Sequence, residues 1–424
     1  MSVIPPLASP AGLAGDPAVL RGMTQRRVGP GRRDLFRMAG LSALGLALAA
    51  CGVEGKKAAP PQQSDVEKYW SDKQQNGRVD FASWPLYMDP KRPELKQFTE
   101  RTGITVNYRE VIQETGSWFA KIQPQLAANQ PIGYDLMVIT NGIQFTQLVR
   151  LGYLVPLDHS KLPNFAKNAG EAYKRQAFDP GNVYSVPYAS GITGIAYNPK
   201  YVDEPPTSIA DLWNPKYKGK VGMLADTQEI GNFALLLLGV EPEKSTPADW
   251  ERAAEKLREQ RDSGIVRKYY EQNFIDPLGK GDIWLCQAWS GDIFQKNLSD
   301  GTDLRFVIPE EGGTIWTDNM VIPKTAANPV DAIMLMDFFY EPEIAASLTE
   351  YINYITPVPA AQEIIRRHAA EAKGERKKEL EAIAESPLIF PSQEDYAKLH
   401  NYRDFKDANE QKQYDSIFQA ITTA

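Results

Sequence analysis

Few residues in this 424-residue chain are able to do chemistry, and their types narrow the choice. Three histidines (His159, His368, His400) and two cysteines (Cys51, Cys286) are too few for a Cys/His zinc cluster or a disulfide scaffold. Serine–histidine–acid catalysis would have to recruit one of those histidines, and no nucleophile-elbow pattern stands for it to serve. Gly279-Lys-Gly281 comes nearest to dinucleotide-binding spacing, but Trp284 occupies the place of the third glycine, and Gly312-Gly313 reads as a turn. What remains is carboxylate and aromatic chemistry. Asp226 and Glu229 form Asp-x-x-Glu just before the apolar run Phe233 to Leu238. That is N-cap and N3 spacing, so the pair either caps a helix or presents two carboxylates to a cation. Trp84 and Tyr87 stand at the end of a strand candidate, before Pro90 opens a helix. The C-terminal edge of a parallel strand is where α/β ligand sites sit. Cys286 lies in the mostly apolar run Asp282 to Trp289 and reads as buried and inert. No metal, cofactor or catalytic residue is expected.

The elements that position these residues follow from length and pattern. Hydrophobic residues make up 42% and charged residues 24%, the balance of a soluble globular protein rather than a disordered or multi-span membrane chain. The length suits two lobes of about 150 to 200 residues each. A net charge of −7 argues against a nucleic-acid partner. The first fifty residues read as a targeting segment. They carry six arginines and two acids, then thirteen uncharged residues from Met38 to Ala50. Thirteen helical residues rise only about 20 Å, short of a roughly 30 Å hydrocarbon core, so this is a signal segment and not a membrane span. Arg32-Arg33-Asp34-Leu35-Phe36-Arg37 resembles a twin-arginine export signal, and Leu48-Ala49-Ala50-Cys51 resembles a bacterial lipobox, which makes Cys51 the lipidated N-terminus of the exported chain. Met23 is an alternative start, since everything the signal needs lies after it. Without the leader, 41 Lys and Arg face 52 Asp and Glu, a net −11 that favours a cationic partner.

Residues 51–76 read as a disordered tether, with order beginning near Gly77. Beyond it, strand-like runs alternate with helix-like ones, the pattern of parallel sheets covered on both faces, and the length asks for two such sheets. Strands are expected at Arg78–Trp84, Thr105–Val111, Asp135–Thr140, Tyr184–Ser190, Ile192–Asn198, Lys220–Leu224, Asp282–Trp289, Leu304–Pro309 and Met320–Pro323. The charge-rich stretch Ala360 to Glu385 reads as a solvated helical pair.

Six segments, in order, carry a resemblance. They are Phe81-Ala-Ser-Trp84-Pro-Leu-Tyr87, Tyr134-Asp-Leu-Met-Val-Ile-Thr140, Val186-Pro-Tyr-Ala-Ser-Gly-Ile-Thr-Gly-Ile-Ala-Tyr-Asn198, Asp211-Leu-Trp-Asn-Pro-Lys-Tyr-Lys-Gly219, Leu224-Ala-Asp-Thr-Gln-Glu229 and Glu310-Glu-Gly-Gly-Thr-Ile-Trp-Thr-Asp318. Over most of residues 78–360 the chain resembles the spermidine/putrescine-binding proteins of bacterial ABC importers. The resemblance implies a two-lobed periplasmic-binding-protein type II α/β fold with crossing hinge strands near Gly191 and Thr317. Lobe one would be 77–190 plus 317–362, and lobe two 191–316 plus 363–424. It further implies a polyamine held in the interlobe cleft by Trp84, Tyr87, Thr140, Asp226, Glu229, Trp289, Trp316, Asp318 and Tyr354, with Asp318 the central carboxylate. The protein would be a monomer that is not an enzyme, needs no cofactor, and delivers its ligand to a permease driven by a cytoplasmic ATPase.

Such a site makes physical sense, because a polyamine is a thin aliphatic rod with separated ammonium groups. Carboxylates match the charges, and aromatic faces serve both methylenes and cations. One departure stands out. The family often carries an aromatic two residues after the position of Thr140, and here that position is Gly142, which should leave the pocket wider or more polar. No motif places the family's C-terminal amide contact, although Gln393 and Asn401 are near. Two competing readings stay open. One is a same-fold receptor for another solute, such as a modified amine, an amino-acid derivative, a ferric ion at Tyr269-Tyr270, a sugar or an organophosphonate. The other is a glycan hydrolase using Asp226, Glu229 or Asp318.

Overall fold

Short runs of β-branched and aromatic residues, bounded by glycine and proline turns, become strands in the computed structural model of the chain, which describes residues 61–422. The expected export signal over 1–50, with its twin arginines, the lipidated Cys51 and the start of the tether lie outside the described residues.

Ten strands form: β1 (Arg78–Ser83), β2 (Thr105–Glu110), β3 (Leu136–Thr140), β4 (Ser185–Tyr197), β5 (Val221–Leu224), β6 (Val266–Tyr270), β7 (Leu285–Trp289), β8 (Arg305–Val307), β9 (Gly313–Val321) and β10 (Leu399–Asn401). They order as β2-β1-β3-β9-β4-β7-β5-β6, with β10 beside β9 and β8 beside β4. β1, β2 and β3 are parallel, as are β5, β6 and β7. Between these groups run β9 and β4, antiparallel to each other and to their outer neighbours β3 and β7.

The expectation of two separate sheets is therefore corrected. β4, with 13 residues, and β9, with 9, cross from one parallel group to the other and join both into one ladder. At about 3.3 Å per residue β4 runs about 40 Å, enough to serve both halves. Gly191 does not split it, because Gly191 pairs with Trp316 of β9. A Cβ on Gly191 would stand 2.2 Å from the Trp316 ring, so glycine is what lets that ring lie over the strand.

The core separates in the same way. One cluster gathers apolar residues of β1, β3 and the helices Pro93–Thr102, Thr115–Ala127, Pro329–Phe338 and Pro342–Ile352. A second gathers those of β5 and the helices Thr227–Leu237, Pro247–Asp262 and Ala408–Thr422. Ile364, Ile365, Leu380 and Ile383, from the charge-rich helices Ala361–Glu371 and Gly374–Ala384, belong to the first cluster, whereas Phe405, Tyr414 and Phe418 belong to the second. The expected assignment of 363–424 to lobe two is thus corrected: one apolar stripe on each charged helix docks it on the first half.

The tether expectation also changes. Gln63–Trp70 is a helix, its Val66 and Trp70 are buried, and the Trp70 indole donates to the Pro156 carbonyl at 2.8 Å. Two apolar residues at i and i+4 were enough to fix a helix that composition hid. β6 and most of β9 were missed because β6 is an edge strand rich in charge and β9 carries Thr314, Thr317, Asp318 and Asn319. Those polar residues of β9 are buried, which a periodicity argument does not anticipate.

Candidate functional site

All nine of the residues expected at the ligand line one cleft between the two halves, together with Glu114, Asn141, Gln228, Tyr270, Glu271, Gln272 and Tyr402 among others. The room between its walls is about 60 Å³. Five lining residues are carboxylic acids (Glu114, Asp226, Glu229, Glu271, Asp318), and among the described residues no Lys, Arg or His lines the cleft.

Strand register places Asp318. On β9 it pairs with Thr140 of β3 on one side and Ala189 of β4 on the other, at the centre of the sheet. Thr140 Oγ1 donates to its Oδ1 at 2.6 Å, and the Tyr87 hydroxyl donates to its Oδ2. Asp318 is 1% exposed, and burial pushes its carboxyl up to about 6 against the pull of those two hydrogen bonds. Aromatic rings surround it. Trp316 meets Tyr354 edge-on at 5.1 Å between centroids, Tyr354 lies 6.0 Å from Tyr87, and Tyr87 lies 6.4 Å from Trp84. Trp84 is held by its indole N–H donating to the Val138 carbonyl at 3.1 Å.

Asp226 and Glu229 divide the two readings left open for them. Asp226 is the N-cap of helix Thr227–Leu237, and its Oδ1 accepts from the backbone N–H of Gln228 at 2.8 Å and of Glu229 at 3.0 Å. Burial, then the charges of Glu229 and Glu114, push its carboxyl up to about 7. Glu229 does not reach back to close a capping box. It points into the cleft, where Oε1 accepts from Thr193 Oγ1 at 2.6 Å, Tyr402 Oη at 2.8 Å and the Trp289 indole at 2.9 Å, and Oε2 from Thr314 Oγ1 at 3.2 Å. Burial raises the Glu229 carboxyl while these donors lower it. The Tyr354 hydroxyl donates to Asp292 at 2.9 Å, and burial pushes this acid up to about 7.

A wider or a more polar pocket is expected at Gly142, and the place is filled by the polar Gln228 beside the Tyr402 ring. Gly142 has φ +117°, and a Cβ there would stand 2.2 Å from Gln228 Oε1 and 3.1 Å from the Tyr402 ring. Gln228 uses that same oxygen to accept from the Ile143 N–H at 2.9 Å. Tyr402, just past β10, supplies an aromatic wall from the C-terminal segment. Neither Gln393 nor Asn401 is among the residues lining the cleft. No sequence motif marks Tyr402, because its place depends on β10 pairing with β9. Cys286 is buried and unpaired as expected, and burial holds its thiol well above the ordinary range. None of the three histidines lines the cleft.

A family model described as bacterial extracellular solute-binding protein matches residues 95–381. The chain belongs to that family. Among curated solute-binding proteins, the spermidine/putrescine-binding periplasmic protein of Escherichia coli is 32% identical over 299 residues, covering 70% of this chain and 82% of its own. The putrescine/agmatine-binding protein of Pseudomonas aeruginosa is 29% identical over 339 residues, covering 76% and 85%. The solved substrate-binding protein of a spermidine/putrescine ABC transporter from Streptococcus pneumoniae matches with a TM-score of 0.66 and 28% identity, over 82% of this chain and 98% of its own. This solute-binding protein therefore has the two-halved α/β fold with crossing strands of the ABC-transporter substrate-binding proteins. Among the described residues no helix is long and apolar enough to cross a membrane.

Proposed function

We propose that this solute-binding protein is a non-catalytic receptor that captures a polyamine of the putrescine/spermidine type and delivers it to an ABC permease powered by a cytoplasmic ATPase. One observation carries the reading: among the described residues the cleft is walled by aromatic rings, holds five carboxylic acids and has no basic side chain. Buried carboxylates without a cation are costly, and a diamine placed between Asp318 at one end and Asp226 with Glu229 at the other would neutralise both. Trp84, Tyr87, Trp289, Trp316 and Tyr354 would enclose the methylenes and add cation–π attraction of about 0.5 to 2 kcal/mol per contact. Thr140 and Tyr87 then act as holders of Asp318, keeping both of its oxygens aimed. A phosphorylated solute would meet only repulsion there, and the relatives named above carry polyamines in their names.

Lobe one would comprise 77–190, 317–362 and the helical pair that docks on it, with lobe two the remainder, and the crossing strands would act as the hinge of closure. Twin-arginine export and lipidation of Cys51 would hold a monomeric receptor at the outer face of the cytoplasmic membrane, since a diacylated cysteine anchors more firmly than one acyl chain.

Isothermal titration of the 52–424 protein, stripped of carried ligand, with putrescine, spermidine, spermine, agmatine and γ-aminobutyrate tests the proposal. Micromolar or tighter binding of at least one amine is expected. Asp318→Asn should weaken it at least about 30-fold, the cost of breaking a desolvated charge pair. No heat with any amine would sink the polyamine reading, and release of reducing sugar from a glycan panel would establish a hydrolase instead.

A further inference from the structure

The cleft has a neighbour. Behind it lies a recess of about 740 Å³ that reaches Tyr173, Phe178, Ile315 and Tyr396. Asn141 and Tyr402 line both spaces and so stand where the two adjoin. We infer that Tyr402 is a specificity-determining residue of the cleft, replacing a wall that Gly142 does not supply and limiting ligand length by sealing the cleft from this recess. The inference rests on the polyamine reading and refines it.

Three independent features carry it. First, position 142 has no room for a wall of its own. Its positive φ and the 2.2 Å approach of Gln228 Oε1 exclude a side chain while Gln228 is bonded to the Ile143 N–H. Second, Tyr402 is aimed and held. Its hydroxyl donates to Glu229 at 2.8 Å, so the ring is tied to a carboxylate that faces the ligand. Third, the segment bearing it is fastened on both sides. Leu399 to Asn401 pair with Gly313 to Ile315 of β9 before it, and Phe405 is buried in the second core cluster after it. Arg150 donates to the Phe405 carbonyl, which fixes the same segment to the helix Ile143–Arg150 that follows Gly142. An aromatic so restrained makes a wall at little cost in conformational entropy.

Removing the ring joins a 60 Å³ space to a 740 Å³ one, so a longer amine gains room while a short one loses a wall. The test is titration of putrescine and spermine into the wild-type 52–424 protein, Tyr402→Ala and Tyr402→Phe. Tyr402→Ala should weaken putrescine and shift the putrescine-to-spermine affinity ratio toward spermine by about tenfold or more. Tyr402→Phe keeps the partition, so it should keep the wild-type ratio even where affinity falls through loss of the bond to Glu229. If Tyr402→Ala does not fold by circular dichroism, Tyr402→Leu reads the same ratio. An unchanged ratio in the Ala or Leu variant overturns the inference and leaves the polyamine reading standing. A Phe variant that shifts the ratio as far as Ala also overturns it, since the bond and not the ring would then decide length. Absence of amine binding by the unsubstituted protein defeats both.

Discussion

Asp318 and Asp226 are chemically useful because burial makes their charged forms costly without a cation. Asp318 is pushed up to about 6 and Asp226 up to about 7, both chiefly by burial. An unfolded aspartate titrates near 4. The folded, ligand-free protein therefore holds more protons than the unfolded chain between about pH 4 and pH 7, and these groups favour folding below that window and lose that contribution as pH rises through it. Melting temperatures of the ligand-free protein and Asp318→Asn, measured from pH 5 to pH 8, should diverge in favour of the variant toward pH 8. A cationic ligand needs the ionised forms, so its binding near pH 6.5 should expel protons. Titration in buffers of different ionisation enthalpy reads this directly, and a heat independent of buffer would contradict it. At this scale part was legible: Trp84, Tyr87, Asp226 and Glu229 stood out by type and position, the other cleft residues came through the family resemblance, and the helix-cap reading of Asp226 held for one oxygen. What could not be read was which acids are buried, because desolvation belongs to the surroundings and not to the residue.

At the scale of elements the decisive pieces are those that two halves share. β9 carries Trp316 and Asp318 and pairs Asp318 with Thr140 of β3, and the helix that opens at Thr227 sets Glu229 in the same cleft. Gly142 is the element-level weak point. Gly142→Ala must accept a positive φ and a Cβ 2.2 Å from Gln228, so it should lower stability by about 1 to 3 kcal/mol in urea unfolding and break the Gln228–Ile143 bond. A variant as stable as the parent would show that the loop relaxes freely. Parallel strands such as β1 and β3 were visible from their apolar runs. The helix Gln63–Trp70 was not, because its tether-like composition conceals the two residues, Val66 and Trp70, that dock it.

For the whole molecule, a ligand that binds only the folded chain couples binding to stability. A ligand that bridges the two halves at a hundred times its dissociation constant should add about 2.7 kcal/mol to unfolding, read as a rise in melting temperature that grows with the logarithm of amine concentration. A melting temperature indifferent to saturating putrescine and spermidine would disconnect the cleft from the fold. The C-terminal segment is tied to the cleft and its surroundings. Through Arg150 it grips the helix after Gly142, through Tyr402 it touches Glu229, and through Gln411 it donates to the Ile143 carbonyl at 2.9 Å.

By itself the sequence determined the alternation of strands and helices, the acidic balance, the absence of motifs for metal, nucleotide or nucleophile chemistry, and the candidates Trp84, Tyr87, Asp226 and Glu229, while Thr140, Trp289, Trp316, Asp318 and Tyr354 came from the family resemblance. Those are local or compositional properties, written in residue type and short spacing. Only the tertiary structure decided that the strands join in one sheet, that residues 361–389 side with the first half, and that Tyr402 stands where position 142 is bare. Each of these depends on pairing between segments far apart in the chain. β10 meets β9 across more than eighty residues, and no local pattern encodes which partner a three-residue strand will find.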